Sequence, residues 1–436
     1  MLNADIIPNH RSSPHESEGN PKADDIGAFA SEGLWYNMPL MEKTVYFDNN
    51  ATTQVAPEVR DAMLPFFGEL YGNPSSMHAF GGQVARHVDR AREEVARFLN
   101  ADPEEIIFTS CATESDNSAI RGTADYFGKS LKVITTAVEH PAVLQPCRRL
   151  KALGHEVVEL PVDALGRLDL DRLEAELSAA SSSPALVSIM WANNETGVLF
   201  PIERIAEICK AHGAIFHTDA VQVAGKIPVD VQKVPVDMLS MSGHKFHAPK
   251  GVGIFYVRKG TKLKPFMLGG HQERSRRAGT ENVPYVVGLA KACELARLGM
   301  ADEAAAIGAM RDKLEAGILA KCPNVRVNGD RANRLPNTLN LSFEYIEGEA
   351  IAYHLSDLGI CISTGSACAS GSLDPSHVIR AMGVPFTAVH GSVRFSLSRY
   401  NTMDEVDYVL DKLPPVIANL RELSPFGPGQ DVTTFK

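Results

Sequence analysis

The sequence predicts an α/β fold: a large domain on a mostly parallel sheet flanked by helices, then a smaller α+β domain at the C-terminal end. Three observations predict it. Short apolar runs alternate with helical patterns through the middle of the chain. Such alternation implies right-handed crossovers and strands covered on both faces. After about residue 295 the rhythm changes to one long helical pattern followed by mixed segments. Finally, 436 residues at 44% hydrophobic content are enough for a large core and more than one domain.

The elements follow in order. Residues 1–43 are rich in Pro, Ser, His, Gly and acidic residues without periodicity, and read as a disordered tail. Residues 44–295 are expected to form the large domain. Its strands are "EEIIFTS" (104–110), "KVITTAV" (132–138), "EVVELPV" (156–162), "ALVSIMWA" (185–192) and "AIFHTDA" (214–220). Between them lie helical patterns: "PAVLQPCRRLKALG" ends in Gly154, "LDLDRLEAELSAA" precedes the fourth strand, and "IERIAEICKAHG" ends in Gly213. Glycine just past a helical pattern is a stop signal. Residues 296–436 are expected to form the small domain, with "NTLNLSFEY", a helix across "EGEAIAYHLSDLG", the stretch "STGSACASGS" (363–372) and "GSVRFSLSRY".

Composition excludes several functions. Lys and Arg number 43 against 53 Asp and Glu, a net charge of −10, and no long basic run occurs. That argues against nucleic acid as a partner. No apolar run approaches the roughly 18 residues of a membrane span, and the N-terminal stretch lacks an apolar signal core. Seven cysteines, an odd number without a C-x-x-C pair, give neither a disulfide framework nor a structural zinc site. The expected location is the cytoplasm, with reduced thiols.

In such a sheet, ligands sit beyond the carboxyl ends of the strands. "CATESDN" follows the first strand and starts a helix with Thr113 and Ser115 near its N-terminus, either a phosphate site or a plain helix cap. "EHPAV" brings His140, an acid–base group, a stacking ring or a structural histidine. "NNETG" brings Asn194, a ligand donor or a turn former. "TDAVQ" places Asp219 and Gln222 at the same edge. No strand is followed by G-x-G-x-x-G, and no G-x-x-x-x-G-K-[ST] occurs, which weakens dinucleotide and P-loop readings. In "SMSGHKFHAPKGVGIFYV" (240–257), Lys245 follows an apolar segment. Such a segment desolvates the amine, as Schiff-base chemistry requires. Ser242 and His244 beside it are phosphate donors; His244 and His247 as metal ligands lack an acidic or thiol partner. A Schiff-base lysine, a strand-end aspartate for a pyridine nitrogen and a helix N-terminus for phosphate together suggest pyridoxal 5'-phosphate.

The motifs "VYFDNNATT", "YGNPSSMHAFG", "TSCATESDN", "VEHPAVL", "MWANNETG", "HTDAVQ", "SGHKFHAPKG", "GGHQERSRRAGTEN", "RLPNTLN", "FEYIEGEA", "GSACASGSLDPSHV" and "VRFSLSRY" resemble the cysteine desulfurases, and "WANNETG", "GGHQER", "EYIEGEA" and "GSLDPSHV" resemble their nitrogen-fixation branch. The resemblance covers about residues 44–425. It implies the class V, fold type I architecture of pyridoxal-phosphate enzymes, with a sheet of the seven-stranded type. Family chains begin near "MEKTVYFDNNATT", which implies Met41 as a start.

The resemblance also implies roles. Lys245 would carry the cofactor, Asp219 pair with its pyridinium nitrogen, Gln222 bond its ring hydroxyl, and His140 stack on the ring and move protons. Ala112, Thr113, Ser242, Gly243 and His244 would surround the phosphate. Thr280 would reach the phosphate of the other subunit of a homodimer. Asn194 would contact both cofactor and substrate, and Arg394 would hold the substrate carboxylate. Cys368 would take sulfur from L-cysteine as a persulfide, leaving L-alanine, and deliver it to an iron–sulfur scaffold or another acceptor, for nitrogenase. No stable metal is implied; Cys368 would at most be a transient iron–sulfur ligand through its persulfide. The residues around Cys368 agree: Gly and Ser neighbours offer a thiol no packing, so it can visit both cofactor and acceptor. Most other cysteines read as buried and inert, Cys361 among them. Two rivals are a lyase that needs no thiol, such as a selenocysteine lyase, and a non-catalytic iron–sulfur carrier.

Overall fold

Strands β1 (Val45–Tyr46), β2 (Ile106–Thr109), β3 (Lys132–Thr136), β4 (Glu156–Leu160), β5 (Ala185–Ser188), β6 (Ile215–Asp219), β7 (Met238–Ser242), β8 (Gly253–Val257), β9 (Val325–Val327), β10 (Thr338–Phe343), β11 (Ile360–Cys361) and β12 (Ser392–Ser396) frame the computed structural model. It describes residues 44–180, 183–364 and 374–427. The central sheet has seven strands in the order β2-β8-β7-β6-β5-β3-β4. β4, β3, β5, β6 and β7 run parallel, with Val133 beside both Val157 and Leu186. β8 runs antiparallel to both of its neighbours. β3, β5 and β7 are buried along their whole length, as strands between two helical layers must be.

Each of the five apolar runs holds a strand, but the strands stop before the runs do. The fourth run shows why. Ile189 and Trp191 still donate backbone N–H bonds, to His217 and Asp219, yet the chain is already leaving the ladder for the Asn193–Gly197 turn. Met190 and Ala192, beyond the end of that strand, line the cavity at the carboxyl edge of the sheet.

β12, β10 and β9 form a second, antiparallel sheet, and β1 pairs in parallel with β11. Leu339, Leu341, Phe343, Val393 and Phe395 build its core, and Val45 and Phe47 from the start of the described chain join them. The helix Val283–Lys321 serves both cores: Val283 to Ala296 pack with the first, Ile307 to Ile318 with the second. The change of rhythm near residue 295 therefore falls inside one continuous helix. Among the described residues no helix is long and apolar enough to cross a membrane.

The segment 269–282 contains three consecutive left-handed residues that are not glycine: Glu273, Arg274 and Ser275, at φ 47°, 56° and 62°. Each costs about 1–2 kcal/mol relative to ordinary backbone. Tertiary bonds offset this. The Glu273 carboxylate accepts two N–H bonds from Arg92, at 2.7 and 2.8 Å, and one from the Phe108 amide at 3.1 Å. Arg274 donates to the carbonyls of Glu104 and Ile106. Both members of the Arg92–Glu273 pair are buried. Glu273→Ala is expected to destabilise the protein by about 3–5 kcal/mol, because Arg92 is left buried without its anion. Urea midpoints measure this; a loss below about 1 kcal/mol would show that the pair does not hold the turn.

Candidate active site

The carboxyl ends of β2, β3, β5, β6 and β7 open on one cavity of about 290 Å³, close to the roughly 300 Å³ at which small-molecule sites begin. Ala112, Thr113, His140, Asn194, Asp219, Gln222, Ser242, His244, Lys245 and Arg394 all line it.

Lys245 ends the single turn Gly243–Lys245 that follows β7. Its Nζ donates to the carbonyls of Asn50 at 2.7 Å and Ala51 at 2.9 Å. Asn50 is itself fixed. Its Nδ2 donates to the Asn194 carbonyl and to Thr338 Oγ1, and its amide donates to Ser396 Oγ. Gly243 does not line the cavity. A Cβ there would meet Ala248 Cβ at 3.0 Å and Val252 at 3.1 Å, so the glycine is what lets the turn pack down.

Asp219 ends β6, buried, with Oδ1 accepting the Val221 N–H at 2.9 Å. Burial raises its carboxyl and the nearby Lys245 charge opposes that rise. Gln222 donates from Nε2 to the Asn50 carbonyl and accepts from Lys226 Nζ at Oε1, both at 3.1 Å. Burial, with the charges of Lys245 and Arg394, lowers the Lys226 amine to about 7.

His140 caps the helix Pro141–Ala152, its Nδ1 accepting the Ala142 N–H at 3.1 Å. The neutral ring therefore carries its proton on Nε2. Burial, then the Lys245 charge, lowers it to about 4. The folded value lies below the unfolded one, so this histidine's contribution to stability is present above about pH 6.5 and is lost as the pH falls toward 4. His140→Gln is expected to flatten that part of the melting-temperature profile. An unchanged slope would show that the ring titrates alike in both states.

At the anionic end, the helix Ala112–Phe127 begins without a side-chain cap, since Cys111 is extended and makes no capping bond. Its first N–H groups therefore have no side-chain acceptor from the cap residue, and the helix dipole points its positive end the same way. Gly253 on β8 allows this placement, because a Cβ there would lie 2.8 Å from the Cys111 backbone. Ser242 is buried beside it, and His244 Nδ1 lies 3.1 Å from Thr52 Oγ1, its ring lowered to about 4 by burial. Ser115 is turned elsewhere: its hydroxyl meets Thr109 Oγ1 and the Ile254 carbonyl.

Arg394 is buried; Nη2 donates to Asp48 at 2.7 Å and Nη1 to the Asn194 carbonyl at 2.9 Å. Its Nε has no partner among the described residues. The guanidinium is thus held in place by Asp48 while part of its fork remains available. Thr280 is exposed and lies outside this cavity, near Phe108 and Glu273.

Cys368 lies outside the described residues. Ser363, five residues before it, lines the cavity and pairs through its backbone with Arg394. Of the other thiols, Cys147, Cys209, Cys293 and Cys322 are buried, as expected. Cys361 is half-buried, with its thiol raised by burial and by Asp48. Cys111, also half-buried, lines the cavity. Sequence reasoning did not single out Cys111, Asp48, Asn50, Ala51 or Asp116. All five sit in the quoted motifs "VYFDNNATT" and "TSCATESDN", and that was the available signal. Two of them act through backbone carbonyls, which residue type does not reveal.

The donor set therefore fits a phosphate at one end, a ring nitrogen at Asp219 and a carbonyl carbon at Lys245. Comparison with known proteins agrees. Residues 45–409 match the aminotransferase class-V family. The chain is 55% identical over 386 residues to the cysteine desulfurase NifS of Azotobacter vinelandii, covering 88% of this chain and 95% of that one. It is likewise 55% identical over 382 residues to the cysteine desulfurase of Trichormus azollae, covering 88% and 95%. A solved NifS-like protein superposes with a TM-score of 0.81 at 42% identity, covering 87% of this chain and all of the other. A structure described as SspA in complex with cysteine gives a TM-score of 0.72 at 34% identity, covering 82% and 100%. The chain belongs to the aminotransferase class-V family, among its cysteine desulfurases.

Proposed function

We propose that the cavity holds pyridoxal 5'-phosphate on Lys245, and that the chain takes sulfur from L-cysteine to leave L-alanine and a persulfide on Cys368. The observation that carries this reading is the meeting of Lys245, Asp219 and an uncapped helix N-terminus on one cavity, in a chain 55% identical to named cysteine desulfurases. When bound, the cofactor supplies an electron sink for the substrate's α-carbon.

The protein's own residues do the rest. Lys245 anchors the cofactor. Asp219 faces its ring nitrogen as an anion, Gln222 offers an amide hydrogen to the ring oxygen, and His140 stacks and moves a proton at Nε2. Ala112, Thr113, Ser242 and His244 surround the phosphate. Asn194 and Arg394 receive the substrate carboxylate, with Asp48 fixing the guanidinium. The Cys368 thiolate attacks the substrate sulfur; an S–S bond forms as the C–S bond breaks, and the carbon takes a proton. Ser363, five residues before Cys368 in the sequence, lines the cavity, which supports Cys368 as the thiol that serves it.

The chain works as a homodimer in which Thr280 serves the partner's phosphate. The exposed apolar side chains Leu64, Phe67, Tyr71, Met77 and Leu268 support an interface. The persulfide passes to an iron–sulfur scaffold dedicated to nitrogenase, in the cytoplasm; the likeness to NifS supports that destination.

Purified full-length protein is expected to show the cofactor's visible absorption and to release alanine and sulfide in equal amounts from L-cysteine with a thiol reductant. Protein that stays colourless after incubation with pyridoxal phosphate and releases no alanine would overturn the reading.

A further inference from the structure

Asp116 is the side chain in this cavity that the proposed reaction leaves unexplained. It sits on the helix Ala112–Phe127, is completely buried, and lines the same cavity as Asp219 and Lys245. By hydrogen-bond geometry neither of its carboxyl oxygens has a partner among the described residues; the nearest donor that favours its charged form is the Ser240 hydroxyl, which already lies 2.9 Å from His217 Nε2. Its nearest basic group is His217, whose Nε2 lies 3.6 Å from Oδ1. That ring is also completely buried, and serine hydroxyls occupy both nitrogens: Ser188 at Nδ1 and Ser240 at Nε2, each at 2.9 Å. The other titratable groups that face Asp116 are Asp219, Glu139 and Cys111. None of them supplies a positive charge.

A completely buried carboxylate with no positive charge beside it, and only a shared hydroxyl as donor, is not sustained at neutral pH; it takes up a proton instead. Two carboxyl groups that share a buried site hold one proton between them, and the better-solvated member takes the anion. Here the members differ. Asp219 has the Val221 N–H at 2.9 Å and the Lys245 charge nearby. Asp116 has neither. Burial of the His217 ring, which disfavours its protonated form, removes the remaining way to balance a charge on Asp116.

We propose that Asp116 is a positioning residue for Asp219: as a neutral carboxylic acid it holds the proton of the pair, and so leaves Asp219 the anion that meets the ring nitrogen. The inference rests on the proposed cofactor only for its consequence. The protonation state itself belongs to the chain, loaded or empty.

Infrared difference spectroscopy on the full-length protein tests it. Wild type minus Asp116→Asn at pH 7.5 is expected to show the C=O stretch of one protonated carboxylic acid, and the band should persist to pH 8.5. Loss of a carboxylate band instead would mean that Asp116 is ionised, and would overturn the proposal. Should the variant not fold, wild type labelled with carboxyl-¹³C aspartate answers alone. One aspartate signal should keep its protonated position up to pH 8, and titration of every aspartate below pH 6 would contradict the proposal. With cofactor bound, Asp116→Asn keeps the donor and is expected to hold pyridoxal phosphate within about threefold of wild type. Asp116→Leu should bind at least tenfold more weakly. Equal weakening in both would show that a neutral donor of the same shape does not replace the acid, and would contradict the proposal. A chain that never binds cofactor would fail the functional reading while leaving the infrared band readable.

Discussion

Lys245→Ala is expected to lower alanine formation by at least about 10³-fold, the scale at which a covalent and acid–base group is lost. The variant should fold. Lys245 closes a one-turn segment, and its amine bonds two backbone carbonyls, those of Asn50 and Ala51, at the cavity wall. Asn50 is held independently by Thr338 and Ser396, so its position should survive the loss of the amine. The phosphate end of the cavity is also untouched. The variant should therefore still bind pyridoxal phosphate, reversibly, and release it on dialysis. Borohydride should fix the cofactor to the wild-type chain alone, on the peptide that carries Lys245. A label on another lysine would reassign the anchor, and unchanged alanine formation would remove Lys245 from the chemistry.

Cys368→Ala is the second large effect. The variant lacks the nucleophile, so sulfur release should fall by roughly 10³-fold or more. Cofactor binding and the spectral change on adding L-cysteine should remain, because the groups assigned to them lie on β12 and at the carboxyl ends of β2, β3, β5, β6 and β7. A chain that serves selenocysteine or another substrate without a thiol would keep its activity. Cys111 supplies the needed control, since it is half-buried and lines the same cavity. Cys111→Ala should leave sulfur transfer within a fewfold of wild type.

Much of the site was legible because strand ends and residue types announce it. Asp219 follows an apolar run, Lys245 follows another, and the sheet brings both to one edge. The partners that hold them were not legible, because their contacts join distant parts of the chain. Asp48 meets Arg394 across 346 residues, and Asn50 meets Lys245 across 195. Asp116 could be read as part of a helix start, but not as a buried acid without a counter-charge, since that depends on what β6 places against it. The antiparallel direction of β8 is set by its pairing with β2 and β7, which residue types along one strand do not reveal. The helix Val283–Lys321 hid the passage between the two cores, because its first half packs with one and its second half with the other.

The claim that Cys368 carries the sulfur has a direct test. The full-length protein, loaded with pyridoxal phosphate, is treated with L-cysteine and digested without reductant, and its cysteine peptides are weighed. One additional sulfur on the Cys368 peptide, removed by added thiol, is the predicted result. Additional sulfur found only on the Cys111 or Cys361 peptide, with Cys368→Ala fully active, would contradict it.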